Sequence, residues 1–228
     1  MKIRYKNISN PAYHDQVEKV LERISSPEGR FLVHTSGSTG KPQEIQLQKK
    51  HMLASAKATI SYLGLPKGCR ALLCLPVDKI AGLMMLVRAM AGDWELTVTK
   101  PSQNPLRGME GEEFDFCAMV PFQVSHSLEE LNQIKKLIIG GGPVSPELEQ
   151  NLQKVKTHCW HTYGMTETIT HVAMREVSPH SKKRFEALPG VSFAADENER
   201  LIINAPAIGV EKLLTYDVVE LKDERHFR

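Results

Sequence analysis

Short apolar runs alternate with amphipathic segments along most of this chain, and this alternation limits the folds that it can adopt. Strands are predicted over residues 31–33, 71–75, 96–99, 116–120 and 136–139. Helices are predicted over residues 13–24, 49–63, 82–90, 128–134 and 146–155. Because strands joined through helices run parallel within one sheet, the pattern predicts an α/β fold, with helices on both faces of a mostly parallel sheet.

The pattern changes after residue 190. Short strands are predicted over residues 191–193, 201–203 and 218–221, and no long helix separates them. We therefore expect residues 1–190 to form an α/β core, and residues 191–228 to form a smaller, more antiparallel β portion of the same domain.

Composition argues against several function classes. The 228 residues carry 29 Lys and Arg against 27 Asp and Glu, and a net charge of +2 does not suit a broad nucleic-acid-binding surface. The longest apolar run, residues 80–87, is far shorter than a membrane span, and no signal-peptide pattern follows Met1. The four cysteines contain no Cys-x-x-Cys pair, which argues against a zinc ribbon. These features predict a reduced, cytoplasmic protein.

Residues 35–42, Thr-Ser-Gly-Ser-Thr-Gly-Lys-Pro, follow a predicted strand directly. Hydroxyl groups and free backbone N–H groups suit phosphate oxygens, and glycine lets the backbone approach them closely. The segment does not match the Walker pattern, because Thr35 replaces its first glycine and Pro42 replaces its Ser or Thr. The alternative interpretation is a plain polar surface turn.

Three further segments have chemistry that suits a nucleotide. In residues 162–168, glycine beside tyrosine leaves room for a flat ring, while Thr166 and Glu167 suit a phosphate and a hard cation. Residues 140–142 are three glycines at a strand end, where an anion or a base can bind, although a tight turn would need the same glycines. Asp217 can accept hydrogen bonds from sugar hydroxyls, although a solvated turn aspartate is the usual interpretation.

Together and in this order, these four segments resemble the AMP-forming acyl-CoA synthetase superfamily. The resemblance extends over roughly residues 31–228. Residues 75–88 and 166–173 are similar to those of short bacterial o-succinylbenzoate–CoA ligases. The resemblance implies a two-step reaction, in which ATP and a carboxylic acid give an acyl-adenylate and pyrophosphate, and coenzyme A (CoA) then displaces AMP. In the o-succinylbenzoate branch this reaction belongs to menaquinone biosynthesis.

The resemblance also implies roles for individual residues. The residues that would bind the nucleotide are Thr35, Ser36, Gly37, Ser38, Thr39, Gly40, Gly141, Gly142, Pro143, Tyr163, Gly164 and Asp217. The catalytic residues would be Lys41 in the phosphate loop, Thr166 at the α-phosphate and Glu167, which would also ligate Mg²⁺. The residues that would contact the acid are Arg88, Thr168 and His171.

Arg88 lies near the end of an otherwise apolar predicted helix. A buried guanidinium is costly without a partner, so Arg88 either reaches the surface, pairs with Asp93 or binds a ligand. When an acid has two carboxylates, the one that does not react needs a fixed counter-charge. Arginine can donate two parallel hydrogen bonds to it, and we predict this role for Arg88.

The sequence also departs from the family pattern. Gln43-Glu44 replace the usual Lys-Gly, Tyr216 replaces a glycine, and Asp78-Lys79 replace an aromatic–histidine pair. The small C-terminal lid domain, with its catalytic lysine, is absent from the 228 residues, so we expect the chain alone to adenylate slowly or not at all. Two alternatives stay open: a ligase for another aryl or acyl acid, and a non-catalytic adenylate-binding module. A homodimer also stays open, whereas Pro42 disfavours a Walker-type phosphotransferase.

Overall fold

The fold comes from a computed structural model, which describes residues 1–7, 11–27, 29–34 and 44–228. The α-helices in these residues are α1 (Pro11–Ser25), α2 (Lys49–Leu63), α3 (Ile80–Gly92), α4 (Pro121–His126) and α5 (Pro146–Leu152). The strands are β1 (Lys2–Tyr5), β2 (Arg30–His34), β3 (Glu44–Gln48), β4 (Arg70–Leu73), β5 (Glu95–Val98), β6 (Phe114–Met119), β7 (Ile134–Ile139), β8 (His158–Gly164), β9 (His171–Ser178), β10 (Phe185–Ala187), β11 (Ser192–Ala195), β12 (Arg200–Ala205), β13 (Val210–Val218), β14 (Leu221–Asp223) and β15 (His226–Phe227).

A ten-stranded sheet organises the molecule, with the strand order β1-β5-β4-β6-β7-β8-β9-β10-β15-β14. The first six strands in this order are parallel. The other four are added by antiparallel pairing, starting with β9 against β8. A second antiparallel sheet contains β11, β12 and β13, and β2 pairs with β3. The predicted fold class, a mostly parallel sheet with antiparallel strands toward the C-terminus, is confirmed.

Two hydrophobic cores lie on the two faces of the large sheet. Ala71 and Leu73 of β4 belong to the core that includes buried residues of α1, α2 and α3. Leu72, from the same strand, belongs to the core that includes buried residues of α4 and α5. Because successive strand residues point to opposite faces, this alternation buries both faces of the strand beneath helices.

One predicted helix is wrong. Residues 128–134 contain only a 3₁₀ turn at Leu131–Gln133, and the helix lies earlier, at α4. Pro121 begins α4 at a position where a missing N–H costs nothing, and the Gln123 side chain accepts a hydrogen bond from the Val120 N–H at 3.4 Å.

The predicted strands at the two ends of the chain also differ from the structure. β1 was not predicted, because its Lys2 and Arg4 obscure a short edge strand; in the structure these side chains contact Glu95 and Glu112. The strand predicted over residues 218–221 is interrupted, since β13 ends at Val218 and β14 begins at Leu221. No helix in the described part of the chain is long and apolar enough to cross a membrane.

Candidate active site

A cavity of about 290 Å³ lies where β4, β6, β7 and β8 end, next to α3. Parallel sheets bind ligands at this edge, because the loops that follow neighbouring strands meet there. Its lining residues are Leu75, Ile80, Ala81, Arg88, Ala118, Met119, Val120, Ile138, Gly140, Gly141, Thr162, Gly164, Met165, Thr166, Ile169, Thr170 and His171. The structure thus brings the glycine turn after β7, the segment after β8 and Arg88 to one cavity.

A larger groove of about 600 Å³ is lined by Gly29, Arg30, Gln48 and Lys50. None of these residues belongs to a predicted site motif. We therefore place the candidate site in the smaller cavity at the strand ends.

Glycines let the backbone itself form part of the cavity wall. A Cβ atom at Gly140 would lie 2.5 Å from Thr162 Oγ1, and one at Gly164 would lie 2.2 Å from the Thr170 carbonyl oxygen. Gly141 has a φ of +81°, a backbone conformation that residues with a side chain rarely adopt. Predicted Gly141 and Gly164, together with Gly140, therefore contribute bare backbone to the cavity.

A strained turn follows residues 162–168 and places Thr170 and His171 at the cavity wall. Buried Ile169 has φ 67° and ψ −55°, and the Thr170 N–H donates to the Thr168 carbonyl at 2.7 Å. This is a γ-turn of the strained type, which is rare for a β-branched residue. The Thr168 hydroxyl holds it closed, because it accepts from the Met165 N–H at 3.0 Å and lies 2.7 Å from the Thr170 carbonyl. Thr168 itself does not line the cavity, and its predicted contact with the acid stays a prediction.

Arg88 lines the cavity and is only 2% exposed. Its Nη2 donates to Thr170 Oγ1 at 3.4 Å, and its Nε has no hydrogen-bond partner in the part of the chain that the structure describes. Among the described residues, no carboxylate lies within 4.0 Å of the guanidinium, so the alternatives of Asp93 pairing and surface exposure do not apply. Burial lowers the pKa of Arg88 to about 10, and the side chain keeps its positive charge at neutral pH.

His171 lies beside this cation, also buried. Its Nε2 lies 3.0 Å from Thr59 Oγ1, and its Nδ1 lies 3.2 Å from Thr170 Oγ1. Burial, with a smaller contribution from the positive charge of Arg88, lowers the pKa of His171 well below its usual value. His171 is therefore neutral at physiological pH, and Arg88 carries the charge of this cluster.

The predicted ribose-binding residue, Asp217, lies on the second sheet and contacts a predicted adenine-binding residue. The Tyr163 hydroxyl donates to Asp217 Oδ2 at 2.6 Å. Burial raises the pKa of Tyr163, and this hydrogen bond raises it further, so the hydroxyl stays protonated. The Tyr163 ring packs edge-on against Phe227, with ring centroids 5.0 Å apart. Asp217 is exposed and does not line the cavity, so this pair lies outside it.

The glycine turn after β7 has its own support. His161 Nε2 lies 3.2 Å from the Gly142 carbonyl oxygen, and burial lowers the pKa of His161. A neutral ring that donates from Nε2 fixes the turn at Gly142, while Pro143 is exposed. No sequence signal predicted this contact, since His161 and Gly142 are 19 positions apart.

The remaining predicted residues differ in their position relative to the cavity. Thr166 is half-buried and lines the cavity, whereas Glu167 is exposed beside it. The predicted phosphate loop, with Lys41 and residues 35–40, lies outside the described residues. Thr59, Thr162 and Thr170 received no individual role from the sequence. Thr59 resembles an ordinary core residue of a helix, and the contacts of all three with the cavity or with His171 arise only in the folded chain.

Asp217→Ala is expected to weaken AMP binding by about tenfold, because a charged acceptor for ribose hydroxyls and for Tyr163 would be lost. Isothermal calorimetry with AMP measures the change. Glu211→Ala is the matched control, since it removes another exposed carboxylate from β13 and should leave the affinity unchanged. Equal affinities in both variants would contradict the ribose assignment.

Comparison with known proteins gives consistent results. The family described as AMP-binding enzyme matches residues 5–204 of this chain. The sequence is 28% identical over 161 residues to 2-succinylbenzoate–CoA ligase of Bacillus mycoides, a match that covers 67% of this chain and 34% of that protein. It is 30% identical over 162 residues to the ligase of the same name from Bacillus cytotoxicus, with the same coverage. The chain thus spans about a third of the length of these curated relatives.

Solved structures extend the similarity over almost the whole chain. An acyl-CoA synthetase (AMP-forming)/AMP-acid ligase II-like protein from Dyadobacter fermentans superposes with a TM-score of 0.87 at 38% identity. That match covers 97% of this chain and 65% of the other. O-succinylbenzoate CoA synthetase from Bacillus subtilis, solved with ATP and magnesium, superposes with a TM-score of 0.75 at 21% identity and covers 86% of this chain and 48% of the other. At that identity the second match supports the fold alone.

Proposed function

Because this chain belongs to the AMP-binding enzyme family, we propose that it forms the nucleotide- and acid-binding part of an AMP-forming acid–CoA ligase. The carboxylate oxygen of the acid attacks the α-phosphorus of ATP, and the bond to pyrophosphate breaks. The CoA thiol then loses its proton to solvent, and its sulfur attacks the acyl carbon. A carbon–sulfur bond forms, and AMP leaves with the electron pair of the carbon–oxygen bond that breaks. The first step needs positioning and charge neutralisation more than a protein base, because the attacking carboxylate is already ionised at neutral pH.

The nucleotide lies across the strand ends in this proposal. Gly141 and Gly142 face the base, Tyr163 flanks it, and Asp217 accepts from the ribose hydroxyls. Thr166 lies at the cavity wall, where its hydroxyl can donate to the α-phosphate. This arrangement orients the phosphorus toward the cavity that holds the acid.

Glu167 is the residue that would hold Mg²⁺. It is an exposed carboxylate directly after Thr166, and the described residues contain no cluster of three His, Cys, Asp or Glu side chains that could hold a metal. One carboxylate fits Mg²⁺, which usually binds one or two protein carboxylates together with phosphate oxygens and water. When bound, the ion would neutralise charge on the phosphates.

The observation that carries the choice of acid is the buried, unpaired charge of Arg88. A guanidinium that has no carboxylate partner in the described chain, and that lines the cavity, suits a ligand with its own anionic group. A monocarboxylic acid uses its only carboxylate in the reaction. We therefore propose a dicarboxylic acid, o-succinylbenzoate, and with it a role in menaquinone biosynthesis; the relatives from two Bacillus species support this choice.

Calorimetry with AMP already bound tests the proposal. We expect the protein to bind o-succinylbenzoate at least tenfold more tightly than 4-oxo-4-phenylbutanoate, which lacks the ring carboxylate, because a buried charge pair contributes more than 1.4 kcal/mol. Equal binding of the two acids would favour a ligase for another aryl or acyl acid. Binding of AMP without either acid would favour a non-catalytic adenylate-binding module.

A further inference from the structure

Three hydrogen bonds connect helix α2 to the Arg88 guanidinium at the wall of the cavity. We propose that Thr59, at the far end of this Thr59–Arg88 chain, is a positioning residue that fixes the orientation of Arg88 for an anionic ligand. The proposal depends on the proposed function only for the identity of that ligand, a dicarboxylic acid.

Thr59 sets the donor-to-acceptor direction of the hydrogen bonds in the Thr59–Arg88 chain. Thr59 is fully buried in α2, and its hydroxyl donates to the Ser55 carbonyl at 3.2 Å, as helical threonines often do. Because a hydroxyl has one hydrogen, Thr59 Oγ1 can only accept from His171 Nε2, 3.0 Å away. His171 must therefore carry its proton on Nε2.

This tautomer sets the two remaining bonds. A neutral imidazole that is protonated on Nε2 accepts at Nδ1, so the Thr170 hydroxyl, 3.2 Å away, donates to it. The lone pairs of Thr170 Oγ1 are then left for Arg88 Nη2, at 3.4 Å. Each bond has one direction, from Arg88 through Thr170 and His171 to Thr59.

The Thr59–Arg88 chain of hydrogen bonds leaves most of the guanidinium free for a ligand. Arginine has five N–H donors, of which Thr170 accepts one, and no described residue accepts a hydrogen bond from Nε. The neutral state of His171 keeps a second positive charge away from Arg88, and its fixed tautomer keeps the Thr170 hydrogen pointed away from the guanidinium. Without an acceptor at residue 59, His171 could place its proton on Nδ1, and Thr170 would lose its fixed orientation.

The members of the Thr59–Arg88 chain are far apart in the sequence, so the sequence alone does not predict these hydrogen bonds. Thr59 and His171 are 112 residues apart, and Arg88 and Thr170 are 82 residues apart. The γ-turn at Ile169 brings Thr170 and His171 between the two helices α2 and α3. A strained turn persists where the surrounding structure holds it, and here it places the two middle members of the chain.

Three variants separate positioning from packing. Thr59→Val keeps the shape of the side chain but removes the acceptor, and Thr59→Ser keeps the hydroxyl. Thr157→Val is the matched control, because Thr157 is also buried and donates to a backbone carbonyl, that of Leu131, in the core on the other face of the sheet.

The first measurement is the ¹⁵N NMR spectrum of the His171 side chain. We expect the Nε2-protonated tautomer in the wild type, in Thr59→Ser and in Thr157→Val, and a population with the proton on Nδ1 in Thr59→Val. A wild-type His171 with its proton on Nδ1 would overturn the proposal, because the bond to Thr59 would then run in the opposite direction.

The second measurement is the ratio of the affinities for o-succinylbenzoate and 4-oxo-4-phenylbutanoate with AMP bound. We expect Thr59→Val to lower this ratio about tenfold, the effect of one buried hydrogen bond, while the two other variants retain it and all four proteins bind AMP equally. An unchanged ratio in Thr59→Val would also overturn the proposal. If the wild type has no preference between the acids, the choice of acid in the proposed function fails, and the NMR measurement still decides the role of Thr59.

Discussion

Replacing Arg88 with methionine is expected to make the protein more stable and less selective at once. Burial lowers the pKa of Arg88 to about 10, and each unit of pKa shift corresponds to about 1.4 kcal/mol, so the buried charge costs the folded state about 3 kcal/mol. Methionine fills a similar volume without charge. Because a buried charge replaced by a packed apolar group often stabilises a protein, we expect the free energy of unfolding to rise by about 1–3 kcal/mol.

The same variant should lose its preference for a second carboxylate. Removing one partner of a buried charge pair costs about 2–5 kcal/mol of binding. Denaturant unfolding and calorimetry with o-succinylbenzoate measure the two effects on one sample. Arg107→Met, at an exposed position, is the control for the loss of an arginine and should change neither quantity. A less stable Arg88→Met protein, or one that retains its preference, would show that Arg88 serves the core and not a ligand.

Gly164→Ala is expected to lower the free energy of unfolding by about 3 kcal/mol, at the upper end of what overpacking costs. A Cβ atom there would lie 2.2 Å from the Thr170 carbonyl oxygen and 2.5 Å from His171 Cα, and both neighbours are backbone atoms that cannot rotate away. The end of β8 would have to separate from β9. Acid binding should weaken as well, because Thr170 and His171 would move from the cavity wall.

Chemical denaturation of Gly164→Ala beside Gly142→Ala tests this result. A Cβ atom at Gly142 would have its nearest neighbour, Pro121 Cγ, at 3.8 Å, which is an ordinary contact. The control should therefore keep nearly wild-type stability. If both variants unfold at the same denaturant concentration as the wild type, the strands are not packed as closely at Gly164 as the structure indicates.

Local patterns were sufficient for most of the elements. The prediction for helix α2, residues 49–63, has the same bounds as the structure, in which Gly64 ends the helix with a left-handed backbone. The helix predicted over residues 128–134 failed, because residues 121–126 carry a short helix whose only strong local signal is a proline that also ends strands. A short element depends on its packing more than on its own propensity, and the sequence pattern does not contain that packing.

The sequence alone determined the strand-and-helix alternation, the polar segments at the strand ends and the candidate role of Arg88, because each depends on residues that are near one another in the chain. Only the tertiary structure decided that Arg88 has no carboxylate partner in the described chain, that Tyr163 contacts Asp217 and that Thr59 meets His171. Tyr163 and Asp217 are separated by 54 positions in the sequence, and Thr59 and His171 by 112 positions. The state of Arg88 depends on which polar groups burial leaves unpaired. Hydrogen-bond direction and the cost of desolvation arise from such contacts, so they become visible only when the chain is folded.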